Sequence, residues 1–341
     1  MDIIQAIALT RLCVSNKLPV ILVGPPGVGK SDLVEQVSLF EGMDLQISHP
    51  VVEDPTDPKG FPYADASGEF AKFLPYGHLA RALKATRPLL WFLDDLGQAS
   101  PAVQAAYMQL LLARRIGEHV LPDCVTFVAA TNRKADRAGV NGILEPVKSR
   151  FVTIINVEPS LDAWVDWALG AAMPGELIAY LRMNPTSLLM HAPTTEIVNS
   201  PSPRTWANAG RLMNAGLAKL GTDIERDGLA GAIGVGAATQ VVEFLKNWRS
   251  LPSPDSILLN PEKSKLSKDV SVLYMLTSAL AYYANPENFG QVVRYAERLN
   301  KDGSGEMAAR LIRDCQKRKP ELTQTSAYIQ ATTGELASLF G

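Results

Sequence analysis

Cysteine and histidine are scarce in this sequence of 341 residues. The three cysteines, Cys13, Cys124 and Cys315, are far apart and form no C-x-x-C pair, which argues against a disulfide framework and a cysteine-based zinc site. The four histidines are equally scattered, so we expect no metal site built from side chains alone. Scattered, unpaired thiols are typical of a reducing compartment, and the predicted location is cytoplasmic.

An excess of charge of one sign is also lacking. Lys and Arg number 33 against 35 Asp and Glu, for a formal net charge of −2. Proteins that bind nucleic acid through its phosphates need a basic surface excess, so the balance argues against nucleic acid as a partner. The longest apolar stretch, near residues 270–284, contains Ser, Thr and Tyr and is shorter than the roughly 18–20 residues of a membrane span, so we expect no transmembrane helix.

The order of apolar patterns indicates how the chain is organised. Asp2 and the helical spacing that follows it predict an amphipathic N-terminal helix rather than a secretory signal. Short apolar runs then alternate with helical patterns, which predicts an α/β fold with a mainly parallel sheet flanked by helices. Ser100 and Pro101 predict the start of a helix that continues to about Ile116. After about Glu158 the pattern is helical. The predicted strands are 19–23, 45–48, 89–93, 125–130 and 152–157.

One segment matches the phosphate-binding motif G-x-x-x-x-G-K-[ST], directly after an apolar strand and before a helix that runs to about Phe40. Its glycines allow backbone N–H groups to surround a phosphate at a helix N-terminus. Lys30 is predicted to reach the β- and γ-phosphates, and the Ser31 hydroxyl to bind Mg²⁺. A Gly/Pro turn that matches by chance is the alternative, which the strand, loop and helix context disfavours. The loop consists of Gly24, Pro25, Pro26, Gly27, Val28 and Gly29.

Two adjacent carboxylates, Asp94 and Asp95, end the apolar run 89–93. Carboxylates at the carboxyl end of a parallel strand point into the crevice where ligands bind. Asp94 is therefore predicted to hold the Mg²⁺ shell, and Asp95 to polarise an attacking water. Two aspartates after an apolar run could also mark the start of an ordinary loop. The interpretation therefore depends on their position after the phosphate-binding loop in the sequence.

With these motifs the sequence resembles the AAA+ ATPases, and among them the MoxR and dynein-related branch. The resemblance implies a P-loop NTPase core over residues 1–158, a helical lid over 159–222, and a C-terminal helical region over 223–341 that continues the lid or docks a partner. It also implies ATP with Mg²⁺ as the bound nucleotide. The choice of ATP over GTP rests on this likeness alone.

Three further segments resemble family signatures in the expected order. Residues 127–132 resemble sensor 1, which implies that Asn132 lies near the γ-phosphate and the attacking water. The stretch around Arg150 resembles the one that inserts an arginine finger into the neighbouring subunit's site. The helix start at 202–204 resembles sensor 2, which implies that Arg204 contacts the nucleotide from the lid. Most relatives have Asp-Glu where this chain has two aspartates, so the shorter Asp95 is expected to slow hydrolysis and to affect binding little.

Residues 54–76 resemble an insertion that MoxR-type proteins carry toward the central opening of a ring. Its aromatic side chains are predicted either to grip a partner chain or to pack against one another in a hairpin. The segment 117–122 is a candidate for a second hairpin. Arg114 and Arg115, just before it, either serve a neighbour's nucleotide or form a charged helix end. The aromatic residues of the insertion are Phe61, Tyr63, Phe70, Phe73 and Tyr76.

The resemblance implies a homo-oligomeric ring, expected to be hexameric, that couples Mg-ATP hydrolysis to the remodelling or maturation of a partner protein. In the MoxR branch the partner is often a von Willebrand factor A domain protein. Two alternatives stay open at this point. One is an assembly scaffold that binds nucleotide and hydrolyses it weakly, which the shorter Asp95 favours. The other is a nucleic-acid-directed AAA+ motor, which the neutral charge disfavours.

Overall fold

The chain folds into two compact units, Met1–Ser160 and Leu161–Gly341. The structure is a computed structural model that describes residues 1–136, 142–190, 194 and 196–339. Within these residues no helix has both the length and the apolar character needed to cross a membrane.

The first unit is built on a sheet of five parallel strands in the spatial order β2-β5-β8-β1-β9. All five strands predicted from the sequence are present, with ends that differ by one residue at most. Two short antiparallel pairs, β3 with β4 and β6 with β7, lie outside this sheet. The strands are β1 Val20–Val23, β2 Asp44–Ser48, β3 Phe61–Ala64, β4 Ala71–Leu74, β5 Leu89–Leu93, β6 Arg115–Ile116, β7 His119–Val120, β8 Val125–Thr131 and β9 Thr153–Asn156.

Helices cover both faces of the sheet, which is why its central strands are apolar along their whole length. Leu90 and Phe92 of β5 pack in a core cluster with the first two helices, whereas Trp91 and Leu93 pack on the opposite face with the fourth and fifth. Every residue of β5 and β8 is buried. The helices of this unit are α1 Ile3–Ser15, α2 Lys30–Phe40, α3 Thr56–Lys59, α4 Gly77–Leu83, α5 Pro101–Ala113 and α6 Glu145–Lys148.

Local sequence signals set the ends of these helices. Asp2 caps α1 by accepting a hydrogen bond from the backbone N–H of Gln5. Ser100 caps α5 in the same way, with Pro101 as its first residue. The prediction that α5 reaches Ile116 is wrong, because Arg114 takes a left-handed conformation with φ 51° and ends the helix after Ala113.

The second unit is helical in all its described elements, as the sequence predicts, and has two hydrophobic clusters. The first cluster surrounds Trp206 and Tyr180, and the second surrounds Phe289 and Tyr295. Helix α9 begins with a capping box formed by Ser202 and Thr205. The helices are α7 Leu161–Gly170, α8 Gly175–Met183, α9 Pro203–Asn214, α10 Thr222–Ile233, α11 Val235–Arg249, α12 Pro254–Leu259, α13 Val270–Tyr283, α14 Phe289–Lys301, α15 Gly305–Arg318 and α16 Ser326–Thr333.

The predicted fold class is confirmed: a parallel sheet flanked by helices, of the P-loop NTPase type, followed by a helical region. The finer division of that region at residue 222 into a lid and a C-terminal part stays a prediction.

Candidate nucleotide site

The loop 24–29 joins the carboxyl end of β1, which lies next to the central strand β8, to the first residue of α2. Gly27 and Gly29 have φ values of 74° and 104°, a region that favours glycine. At Gly24 an added Cβ would lie 2.5 Å from the carbonyl oxygen of Val157. The loop therefore needs glycine for backbone conformation at two positions and for close approach at a third. Its N–H groups, with those of the first turn of α2, form an N-terminus suited to an anion.

Lys30 is the first residue of α2 and is only 7% exposed. Its Nζ donates hydrogen bonds to the carbonyl oxygens of Gly24 and Pro25, at 3.0 and 3.1 Å, and to Oδ1 of Asn132 at 2.7 Å. Asn132 directly follows β8, the strand next to β1. The loop, the lysine and this asparagine, 102 residues apart in the chain, thus form one hydrogen-bonded group.

Ser31 and Asp94 bring together two side-chain oxygens of the kind that Mg²⁺ prefers. The Ser31 hydroxyl donates to Oδ2 of Asp94 at 2.9 Å, and the other carboxylate oxygen accepts from the backbone N–H of Asp95 at 3.0 Å. Among the described residues no group of three or more His, Cys, Asp and Glu side chains is arranged to hold a metal. A hydroxyl and one carboxylate nevertheless fit Mg²⁺, which takes one or two protein oxygens and completes its shell with water and substrate phosphates.

Asp95 lies beside this pair in a left-handed conformation, with φ 55° and ψ 32°. Asp tolerates that conformation better than most residues, and such outliers cluster at functional sites. Two amides, from Asn132 and Gln98, each lie 3.4 Å from its Oδ1. Gln98 is a contact that the sequence motifs do not predict. The sequence could have indicated this contact, because residues three apart in a helical turn lie on the same face, and Gln98 is three residues after Asp95.

The two arginines predicted to act on the nucleotide are Arg150 and Arg204. Arg150 follows α6 and is half-buried. Its Nη1 donates to Oγ of Ser149 at 2.9 Å, and its buried Nε has no hydrogen-bond partner among the described residues. Arg204 is an exposed residue in the first turn of α9, in the second unit. Both roles stay predictions.

Comparisons with known proteins return structural likeness only. No protein-family model and no curated protein matches the chain. Among solved structures, the RuvB Holliday junction branch migration motor of Thermotoga maritima is similar with a TM-score of 0.41 and 15% identity over 82% of this chain and 80% of that one. A mutant of the same RuvB gives 0.41 and 16% over 88% and 86%. A structure titled as a putative ATPase from Cytophaga hutchinsonii gives 0.33 and 12% over 77% and 90%. With TM-scores this low, the likenesses assign neither a family nor an activity.

The two predicted hairpins are both present beside the sheet. All eight residues of β3 and β4 are exposed, including Phe61 and Phe73, so the aromatic rings on these strands are not buried against one another. His119 of β7 lies with its Nε2 2.9 Å from the carbonyl oxygen of Phe73, which ties the second hairpin to the first.

Arg114 lies at the base of the second hairpin. Its Nη2 donates to the carbonyl oxygens of Pro122 and Val125, at 2.8 and 2.9 Å. The Arg115 guanidinium donates to the carbonyl oxygen of Gly117. These bonds within the chain favour a structural role over service to a neighbour's nucleotide.

Proposed function

We propose that this chain is an AAA+ ATPase of the MoxR type that hydrolyses Mg-ATP. One observation carries the proposal: Lys30, Ser31, Asp94, Asp95 and Asn132 meet at the carboxyl ends of three adjacent strands, where open α/β sheets bind ligands. Each side chain is of the type that phosphoryl transfer needs at such a place.

The residues divide the chemistry among them. The loop N–H groups and the Lys30 ammonium would hold the phosphates, and Ser31 with Asp94 would hold Mg²⁺. When bound, Mg²⁺ neutralises charge that develops on the phosphate oxygens. Asp95 would orient a water and accept its proton, and the Asn132 amide would fix that water's position. In the structure the Lys30 ammonium donates hydrogen bonds to Asn132 and to two carbonyl oxygens of the loop. Phosphate oxygens would replace these acceptors when a nucleotide binds.

The proposal includes a ring, for which a hexamer is the expected form, in which Arg150 acts on the neighbouring subunit's site. Among the described residues, the Arg150 guanidinium donates to Ser149 and forms no hydrogen bond with its own chain's site residues, which supports this assignment. An arginine finger supplied by a neighbour raises phosphoryl-transfer rates by about 10³–10⁵. Isolated chains should therefore turn over very slowly. Arg204 would sense the nucleotide from the helical unit and transmit loss of the γ-phosphate.

The same proposal assigns the exposed hairpin to a protein partner. Phe61, Phe70 and Leu74 are 61%, 67% and 54% exposed. Exposed apolar side chains grouped on one element mark protein interaction sites. We propose that this surface contacts the protein that is remodelled, with a von Willebrand factor A domain protein as the candidate that the family likeness suggests.

The first test is the MgATP hydrolysis rate per chain, from nanomolar to tens of micromolar protein. A rate that rises steeply and then reaches a plateau is expected, since composite sites form on assembly. Lys30→Ala should abolish nucleotide binding, whereas the exposed Lys84→Ala is the matched control and should bind as the wild type does. Micromolar affinity retained by Lys30→Ala would refute the assignment of the phosphate loop.

A nucleotide-gated scaffold is the second candidate, and the shortened carboxylate at Asp95 favours it. Its signature is assembly that depends on ATP, with hydrolysis near zero at every protein concentration. Asp95→Glu separates the two, because a large rate increase identifies chemistry that the native residue attenuates.

A further inference from the structure

Gln104, in the second turn of α5, is a polar side chain that the sequence motifs leave unassigned. It is 1% exposed, so its amide must find partners inside the protein. Its Nε2 donates to the carbonyl oxygens of Ala99 and Gly142, at 3.2 and 2.9 Å. Its Oε1 accepts from the backbone N–H of Leu144 at 3.0 Å. The side chain is thus fully engaged with the backbone of two separate segments.

One of those segments directly follows β5, at the carboxyl end of the strand. Asp94 and Asp95 are followed by a 3₁₀ turn over Leu96–Gln98, and Ala99 is the next residue. Gly97 in this turn accepts a hydrogen bond from the backbone N–H of Gly142 at 3.2 Å. The turn is closely packed, since a Cβ at Gly97 would lie 2.1 Å from Oγ1 of Thr131.

The other segment leads to Arg150. Leu144 is the N-cap of α6, and its carbonyl oxygen accepts from the backbone N–H groups of Val147 and Lys148 at 2.8 and 3.0 Å. Val147 is fully buried in the core cluster on the α5 face of the sheet. Gln104 therefore fixes the start of the short helix whose end carries Arg150. Buried networks in which every polar group is paired rigidify the segments that they join.

We propose that Gln104 is a positioning residue that holds the Arg150 segment against the strand end bearing Asp94 and Asp95. The inference rests on the proposed function. Through Arg150, Gln104 would affect the nucleotide site of the neighbouring subunit, and not the site of its own chain. Among the described residues, none of the Gln104 side-chain hydrogen bonds goes to a residue assigned to the nucleotide. Loss of the amide should leave nucleotide binding in place and lower the rate.

The test compares Gln104→Leu with Gln109→Leu, an exposed glutamine on the same helix. Without nucleotide, hydrogen exchange of the amides in 142–151 should become faster in Gln104→Leu and stay unchanged over 24–31. The Kd for MgATP should stay within about threefold, while kcat falls by about 10–100-fold, since a displacement of about 1 Å can cost 10²-fold. Gln109→Leu should match the wild type in all three measurements.

Mixed assemblies test the route through Arg150. A Gln104→Leu chain next to a Lys30→Ala chain receives an intact Arg150 segment. An equal mixture should therefore recover about a quarter of the wild-type rate per chain, because ring interfaces are head-to-tail. In an Arg150→Ala background, Gln104→Leu should lower kcat by no more than about twofold further.

Several outcomes would overturn the inference while the wild type still hydrolyses ATP. The first is a folded Gln104→Leu protein with the wild-type kcat. The second is a loss of MgATP affinity as large as the loss of kcat. The third is a fall in kcat that is as large in the Arg150→Ala background as in the wild type. If Gln104→Leu fails to fold, Leu144→Pro removes the N–H that donates to Gln104, at a φ of −58° that proline accepts, and must give the same pattern. Leu144→Ala, which shortens the same partly buried side chain and keeps the N–H, is its control. A wild type that does not hydrolyse ATP would overturn the proposed function as well.

Discussion

Replacement of Gly24 by alanine tests whether the phosphate loop needs glycine at this position for close packing against Val157. The added Cβ would lie 2.5 Å from the Val157 carbonyl oxygen, where ordinary contact begins at 3.4 Å, so something must move by about 0.9 Å. Neither side moves freely. The N–H of Val157 donates to the Val23 carbonyl oxygen at 2.7 Å, and the N–H of Gly24 donates to the Thr131 carbonyl oxygen at 3.3 Å.

Overpacking of this kind costs about 1–3 kcal/mol. At about 2–4 °C per kcal/mol, Gly24→Ala should lower Tm by about 2–12 °C. The Gly24 carbonyl oxygen also accepts from Lys30, so a shifted loop displaces the lysine. We expect the Kd for MgATP to rise about tenfold or more, since a displacement near 1 Å is large for a positioned ligand.

Differential scanning fluorimetry with and without MgATP measures both effects. The control is Gly236→Ala, in the first turn of α11, where no described atom lies within 4 Å of an added Cβ. That change should alter stability by less than about 1 kcal/mol, in the stabilising direction. A Gly24→Ala protein with an unchanged Tm and a Kd within twofold of the wild type would refute the argument from close approach.

Three other substitutions test the site and its surroundings. Asp95→Asn should keep MgATP affinity within about threefold and lower kcat about 100-fold or more, because an amide cannot accept the proton; undiminished turnover in a coupled phosphate assay would assign that step to another group. Burial raises the pKa of Glu53, against the opposing effect of the Tyr107 hydroxyl, so the folded state holds this proton more tightly than the unfolded chain. The stabilisation that comes from protonated Glu53 is complete below the ordinary pKa of 4.5 and is lost as pH rises through the raised pKa. The Tm of Glu53→Gln should therefore rise relative to that of the wild type from pH 4 to 7, and a constant difference would contradict this. Arg182 forms a bidentate pair with Asp314, whose side chain is 5% exposed, and Arg182→Met leaves that carboxylate without this partner. Chemical denaturation should show that the free energy of unfolding falls by about 3–5 kcal/mol. A fall under about 1 kcal/mol would show that other groups satisfy the carboxylate.

The exposed hairpin and the Gln104 amide act on different parts of the proposed cycle. The hairpin of β3 and β4 exposes apolar side chains that are proposed to contact a partner, and His119 of the second hairpin is hydrogen-bonded to the Phe73 carbonyl oxygen of the first. Gln104 is hydrogen-bonded to the segment that leads to Arg150, the residue proposed to act on the next subunit's site. Variants of the hairpin should therefore change the response to a partner, while variants of Gln104 change the basal rate.

Much of the first unit could be predicted from the sequence because its signals are local. The apolar runs identify the strands, and the glycine spacing with Lys30 and Ser31 identifies the turn between β1 and α2. The caps at Asp2 and Ser100, and that at Ser202 in the second unit, mark helix starts through side chains that reach only three residues along the chain. Such features depend on neighbours in sequence, so one sequence is enough to predict them.

What depends on distant neighbours was decided by the tertiary structure alone. The sheet order brings Asn132 to Lys30. Among the described residues, the Arg150 guanidinium donates its hydrogen bond to the adjacent Ser149. The end of α5 depends on Arg114, whose guanidinium donates to the carbonyl oxygens of Pro122, in the loop before β8, and of Val125, the first residue of β8. Gln104 gives no signal in the sequence, since a glutamine on a helix is usually exposed and only the fold brings residues 99, 142 and 144 to its amide. A buried polar side chain takes its role from the backbone groups that packing leaves beside it, and those groups are known only once the chain has folded.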